Sequence, residues 1–323
     1  MDDKFKIRLR VVEDELVNWD EFLAEFNQRL LDKEFPIVIK IDEAPDLTCI
    51  QPVLSTMTFL KWVESFQLNN DIFIETDNLV QRFLPISHIK NFNELPFFHF
   101  KNHKVKQKNL HKNFMCFVGA HRWPRFILSK FLYENYSHCS YLTYWQNKFP
   151  AKSFKKKLPI DEVTSFKKKL PLYINSDETI ERHATGYINF TDTNPLLKFY
   201  QNSFIDIVCE TWHDGQTFMP TEKTARPLST MTPFIVYGPK NYLSNLKKLG
   251  FKTFSEFWSE KYDSLAGEDR IEQIKIIIST LGKLSKDEMF EMYQKMLTIL
   301  SHNKERYETI TKQNIMKAFD EYL

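Results

Sequence analysis

Short apolar runs with strand character alternate with amphipathic helical stretches along most of the chain, and this alternation limits the fold more than any other feature. From Lys4 to Val12 charged and apolar residues alternate with period two, and the next segment, NWDEFLAEFNQRLL (18–31), puts Trp19, Phe22, Phe26 and Leu30 on one helical face. FPIVIKI (35–41) and DIFIE (71–75) read as strands flanking a helix over 53–66. FMCFV (114–118) opens a second series, with Pro124 suited to the first turn of the following helix. The strands FIDIVCE (204–210) and PFIVY (233–237) continue it, each followed by a helix, one starting at Thr221 and one ending at Gly250. Such alternation predicts an α/β protein whose parallel sheets are covered on both faces.

A chain of 323 residues exceeds one small core. Between His99 and Asn113 the pattern dissolves into Lys, His and Asn, so a boundary is expected near residue 110. The fold class that follows is two Rossmann-like domains, 1–110 and 111–283, with a helical C-terminal tail over 284–323. In the last third, Ile271, Ile274, Ile278 and Leu281 form one apolar stripe and Met289, Tyr293, Met296 and Leu300 another, both expected in the core.

With 44 basic against 42 acidic side chains the net charge is +2, which gives no global field toward nucleic acid or anionic membranes. Any basic surface must be local. SFKKKLP occurs twice, at 153–159 and 165–171, and is read as a solvated basic linker, or as a contact for an anionic acceptor. The four cysteines, Cys49, Cys116, Cys139 and Cys209, have neither metal-knuckle nor disulfide-framework spacing and are expected to be reduced core thiols. No stretch approaches the ~20 apolar residues of a membrane span and none resembles a signal peptide, so a cytoplasmic location is expected.

The seven glycines are too far apart for G-x-G-x-x-G or a P-loop, which argues against dinucleotide oxidoreductase and P-loop NTPase chemistry. No Asp-x-Asp pair is present to hold a divalent metal on a diphosphate, and the scattered histidines lack an H-E-x-x-H. No metal or resident cofactor is therefore expected. No G-x-S-x-G elbow anchors serine hydrolase chemistry.

The segment ETWHDGQTFMPTEKTARP (210–227) lies between an apolar strand and a helix, at the carboxyl edge of a parallel sheet, where open α/β folds bind ligands. Thr221 is a good N-cap, and the backbone N–H groups after it, with Lys223, suit a diphosphate at the positive end of the helix. Glu222 suits a ribose diol. The plain alternative is that Thr-Glu-Lys is only a helix start, since acids are common in first turns. Pro227 requires that helix to be short or kinked.

The order strand, Glu, polar loop, T-E-K, small helix, P-F-I-V-x-G resembles the donor half of the α-1,3-fucosyltransferase family and of exostosin-like transferases of the two-Rossmann-domain (GT-B) type. LGFKTFSEFWSEKYD (249–263) is similar to a segment of uncharacterised bacterial and viral relatives of those enzymes. The resemblance spans roughly 114–270 and implies a hexosyl- or deoxyhexosyltransferase using a nucleotide sugar. It gives Glu222 the ribose and Lys223 the diphosphate, matches Glu210 to an upstream acid of the family, and offers Arg122 or Arg125 for phosphate neutralisation. Thr211 and Trp212 stand where the family has an Asn, so the sugar is not fixed by the match. By the same resemblance 1–110 is the acceptor domain and 111–283 the sugar-nucleotide domain.

No acceptor motif identifies a general base. Asp42 and Glu43 follow the FPIVIKI strand, at the rim where a carboxylate can deprotonate an acceptor hydroxyl for inverting transfer, or stand as plain loop acids. The acceptor is a glycan or another hydroxyl compound, including modified DNA. A nucleic-acid-associated binding protein on a Rossmann scaffold is the competing reading, because it accounts for the lysine repeat.

Overall fold

The computed structural model describes residues 6–12, 15–16, 18–42, 59–67, 72–76, 78, 108–144, 159–174, 195–213, 215 and 217–311. The chain divides into two compact units, one of Met1–Leu95, Trp212–Met219 and Met316–Leu323, the other of Pro96–Thr211 and Pro220–Ile315.

In the first unit, strands β1 (Lys6–Val12), β2 (Glu15–Leu16), β3 (Ile37–Asp42) and β4 (Ile72–Glu75) form a sheet in the order β2-β1-β3-β4. β1, β3 and β4 are parallel, and β2 is an antiparallel edge. Because this order never reverses, right-handed crossovers bring helices α1 (Trp19–Leu31) and α2 (Phe59–Gln67) to the same face. Ile7, Leu9, Ile37, Ile39, Ile41, Ile72 and Ile74 meet Trp19, Phe22, Phe26, Phe59 and Val63 there in one buried cluster. The Trp62 ring packs edge-on or tilted against Trp19 and Phe26, with centroids 5.1 and 5.0 Å away. Each such buried ring contributes about 2–3 kcal/mol.

Both described helices of this unit cover that one face. On the other face Arg8 and Arg10 of β1 are exposed, whereas Val38 of β3 is 4% exposed and Phe73 of β4 is half-buried. The period-two alternation of β1 follows from its exposed face, since a strand with a wet face must alternate.

In the second unit, β5 (Lys112–Val118), β6 (Ser140–Tyr144), β7 (Ser203–Cys209) and β8 (Phe234–Tyr237) form an all-parallel sheet ordered β6-β5-β7-β8. Every residue of β7 is buried, as a central strand covered on both faces requires. Its helices among the described residues are α3 (Trp123–Tyr136), α4 (Ile160–Lys167), α5 (Leu197–Asn202), α6 (Glu222–Ser229), α7 (Tyr242–Lys248), α8 (Gly267–Leu281) and α9 (Lys286–Thr309). The chain moves outward from β5 to β6, then crosses back to β7 on the other side of β5. The order of strands thus reverses between β5 and β7, and their carboxyl ends diverge into a crevice.

The C-terminal helices belong to this unit and are not a separate tail. α9 packs on α6, burying the expected stripe of Met289, Tyr293, Met296 and Leu300. α9 starts with a capping box in which Ser285 and Glu288 satisfy each other's backbone N–H groups. The unit also begins at Pro96, ahead of the boundary expected near residue 110. Chain packing accounts for this: the Lys108 ammonium is buried against Tyr200 and Thr232.

The second SFKKKLP copy is not a solvated linker. Ser165–Lys167 close helix α4, and Phe166 and Leu170 are buried. Sequence bias hid the apolar pair within the basic run. Residues 153–158 of the first copy lie outside the described residues. Cys116 and Cys209 are buried and Cys139 is half-buried, all three as free thiols; Cys49 lies outside the described residues. Among the described residues, no helix is long and apolar enough to cross a membrane.

Candidate functional site at the carboxyl edge of the second sheet

The loop after β5 (Gly119–Arg122), the residues that leave β7 (Glu210 and Thr211) and those that enter α6 (Pro220 and Thr221) border the crevice where the strand order reverses. Two helices point their N-termini at it, α3 with a proline in its first turn and α6 capped by Thr221. Thr221 Oγ1 accepts from the Lys223 N–H at 3.3 Å, so the capping expected from T-E-K is present. Pro227 lies inside α6, and the helix is short at eight residues.

Glu210 has a different role from the one expected of it. It is 1% exposed. Oε1 accepts from the Thr221 N–H (3.1 Å), Thr224 Oγ1 (2.6 Å) and Tyr242 Oη (2.8 Å). Oε2 accepts from Thr221 Oγ1 (2.5 Å) and the Thr211 N–H (3.4 Å). A carboxylate with five donors from its own chain is a brace: it ties the end of β7 to the start of α6 and shapes the site without facing a ligand.

Arg125 is likewise internal. Its guanidinium, 3% exposed, donates to Ala120 O at 2.9 Å and to Glu210 O at 3.1 Å, which joins the two loops across the crevice. Burial lowers its pKa from the ordinary value, Arg122 adds to that, and Cys209, Glu210 and Glu222 act in the opposite direction. Arg122 is half-buried and donates to His121 O at 3.0 Å. The two arginines left open by the sequence therefore divide: Arg125 holds the loops and Arg122 is the one partly open to solvent.

Glu222 and Lys223 are paired with each other. Lys223 Nζ is 2.5 Å from Glu222 Oε1, and it also donates to Thr211 Oγ1 (3.2 Å) and Thr221 Oγ1 (3.4 Å). The Glu222 side chain is 8% exposed and that of Lys223 20%. Burial alone would raise the Glu222 pKa, but Lys223 and Arg226 hold it down at about 2. Arg226 is buried behind them. Four cations, Arg122, Arg125, Lys223 and Arg226, thus gather near three carboxyl groups, Glu210, Glu222 and Asp206. His121, with Nδ1 2.7 Å from Tyr144 Oη, is held neutral: burial, Arg122, Arg125 and Lys167 push its pKa down to about 3.

Several residues that shape this edge carry no local sequence signal. Arg270, 1% exposed, donates to the carbonyls of Tyr262, Gly238 and Asp263 and lies over the Tyr237 ring, so it clamps the loop that leaves β8. Asp263 accepts from the N–H groups of Leu243 (2.9 Å) and Ser244 (3.1 Å) and caps α7, whose own N-cap residue Asn241 makes no side-chain bond. Glu260 accepts from Thr253 Oγ1 and the Phe254 N–H, both at 2.7 Å. The LGFKTFSEFWSEKYD segment thereby buttresses the sheet edge through its buried side chains Leu249, Phe251, Phe254, Trp258 and Tyr262. Asp42 ends β3; its side chain, and all of Glu43, lie outside the described residues.

The fold and this edge define a protein of the α/β class with parallel sheets, consistent with Rossmann-like folds, and a helical C-terminal region. The chain matches no protein-family model and no curated protein.

Proposed function

We propose that this chain is a glycosyltransferase of the two-Rossmann-domain type that binds a nucleoside-diphosphate sugar at the carboxyl edge of the second sheet. The observation that carries this reading is the position of the cation cluster: Arg122, Lys223 and two helix N-termini meet where the strand order reverses, and Arg125 and Glu210 fix that geometry. Such a site favours a compact polyanion. In the transfer, an acceptor hydroxyl bonds to the anomeric carbon as the bond from that carbon to the β-phosphate oxygen breaks. The hydroxyl proton passes to a base, and the diphosphate leaves with its new charge facing Arg122 and Lys223. Positive side chains fill the role that a divalent metal has in other transferases. Asp42 and Glu43 stay the proposed bases by chain position, and the acceptor is a glycan or another hydroxyl compound.

A thermal-shift panel of UDP, GDP, CDP and dTDP sugars, with and without EDTA, tests the reading. One nucleotide class raises the melting temperature, because a ligand at 100-fold its Kd adds about 2.7 kcal/mol to the folded state. EDTA leaves that shift unchanged. A panel in which no nucleotide sugar moves the melting temperature sinks the proposal.

A further inference from the structure

A second concave site lies on the opposite flank of the same unit, at the edge strand β6. A cavity of about 370 Å³ is lined there by Tyr133, Ser137, Tyr141, Leu142, Leu172 and Tyr173, among others. That volume is in the range of small-ligand pockets.

The pairing of the edge explains why the cavity exists. Tyr144 exchanges both backbone bonds with Leu172, at 3.0 and 3.1 Å, as an isolated antiparallel bridge. The two segments then part, and Leu142 and Ile174, which would form the next outward pair, make no backbone hydrogen bond with each other. Alternate residues of a parallel strand turn their peptide groups to opposite sides. With Tyr144 turned outward Leu142 is turned outward too, so its N–H and C=O face the cavity as one donor and one acceptor. A single exposed amide unit closed off by the Tyr144–Leu172 bridge suits a ligand with one secondary amide; an extended peptide needs a longer open edge.

The side chains add charge and ring surface. Lys112 Nζ lies 5.8 Å from the Tyr141 ring centre, and Lys169 Nζ lies 5.1 Å from that of Tyr133. Lys112 donates to His138 O, and among the described residues neither lysine has a carboxylate partner. Among the described residues no acidic side chain lines the cavity, and Tyr173 is 43% exposed. We infer that this cavity binds one anionic acetamido sugar residue: the acetamido group pairs with the Leu142 peptide, the CH face of the ring rests on Tyr173, and the carboxylate faces Lys112 and Lys169.

The test is a titration of the full chain with N-acetylneuraminate, N-acetylglucosamine, glucuronate and an acetylated tetrapeptide amide, followed by ¹⁵N-¹H chemical shifts. No nucleotide is present, so the result is independent of the donor-site reading. N-acetylneuraminate saturates a site that shifts the Leu142 amide, while the amide-only and charge-only sugars bind at least fivefold more weakly. Tyr173→Ala and Lys169→Gln, at surface positions, each weaken binding at least fivefold with the thermal melt unchanged. The inference is overturned by absence of saturable N-acetylneuraminate binding, by equal binding of either comparison sugar, by variants without effect, or by preference for the peptide, which would make the cavity a peptide groove.

Discussion

Lys223 and Glu222 form a partly buried ion pair, and this changes what a substitution there does. From the sequence, Lys223→Ala removes a ligand-facing charge and spares the fold. In the structure it leaves the Glu222 carboxylate buried without its nearest cation. Breaking a fully buried pair costs about 3–5 kcal/mol; with Lys223 partly exposed, about 2–3 kcal/mol is expected. Urea denaturation measures it, and Lys223→Arg restores most of the loss. Equal midpoints for Lys223→Ala and the parent would show that the pair contributes nothing. The pH dependence follows from the same contact. The Glu222 pKa falls from 4.5 to about 2 on folding, so its contribution is full above pH 4.5 and disappears as pH falls toward 2. It amounts to on the order of 3 kcal/mol. Glu222→Gln should flatten the parent's loss of stability between pH 5 and 3; an unchanged slope would mean that other carboxylates carry it.

At the scale of elements, the start of α7 depends on a residue twenty-two positions after its N-cap Asn241. Asp263 replaces the missing cap, and Asp263→Ala is expected to cost about 1 kcal/mol, within the usual range for a lost cap. Hydrogen exchange should locate the loss in α7, with Leu243 and Ser244 amides exchanging faster; uniform acceleration across the unit would contradict a local capping role. The elements themselves were largely legible. α1, β3, β4, β5, β7 and β8 fall where period and apolar runs predict them, because each buries a face that the sequence must supply. β6 was not legible: SYLTY is short and polar, and it becomes a strand because β5 offers an open edge. α4 was hidden because its two buried side chains, Val163 and Phe166, stand in a short polar stretch between two lysine runs.

For the second unit as a whole, a charge pair sits inside the fold. Lys108 and Asp206 are both buried, with Tyr200 donating to Asp206 at 3.0 Å. Burial lowers the Lys108 pKa from 10.5 to about 7, with Asp206 opposing, and raises that of Asp206 from 3.8 to about 7, with Tyr200, Arg226 and Lys108 opposing. The raised acid gives stability that is present below pH 3.8 and lost as pH rises through 7. The lowered ammonium gives stability present above pH 10.5 and lost as pH falls through 7. Both contributions are therefore least near neutrality. The difference in unfolding free energy between the parent and the Lys108→Met, Asp206→Asn double variant should have its minimum near pH 7; a difference constant from pH 4 to pH 10 would remove the pair from the pH response.

Taken alone, the sequence determined the α/β class, most strands and helices, the segment that forms the carboxyl edge, and Thr221 as a cap. These are local properties, set by periodicity and by the chemistry of a first helical turn. Tertiary structure decided the rest. Strand order put Arg122, Arg125 and Lys223 on one crevice, turned Glu210 and Arg125 into braces, gave Glu222 and Lys223 to each other, and used Arg270 to clamp the loop after β8. Those outcomes depend on which groups meet after residues tens of positions apart are packed without water, where every buried charge and carbonyl must find a partner. No pattern within a single segment specifies which partner that is.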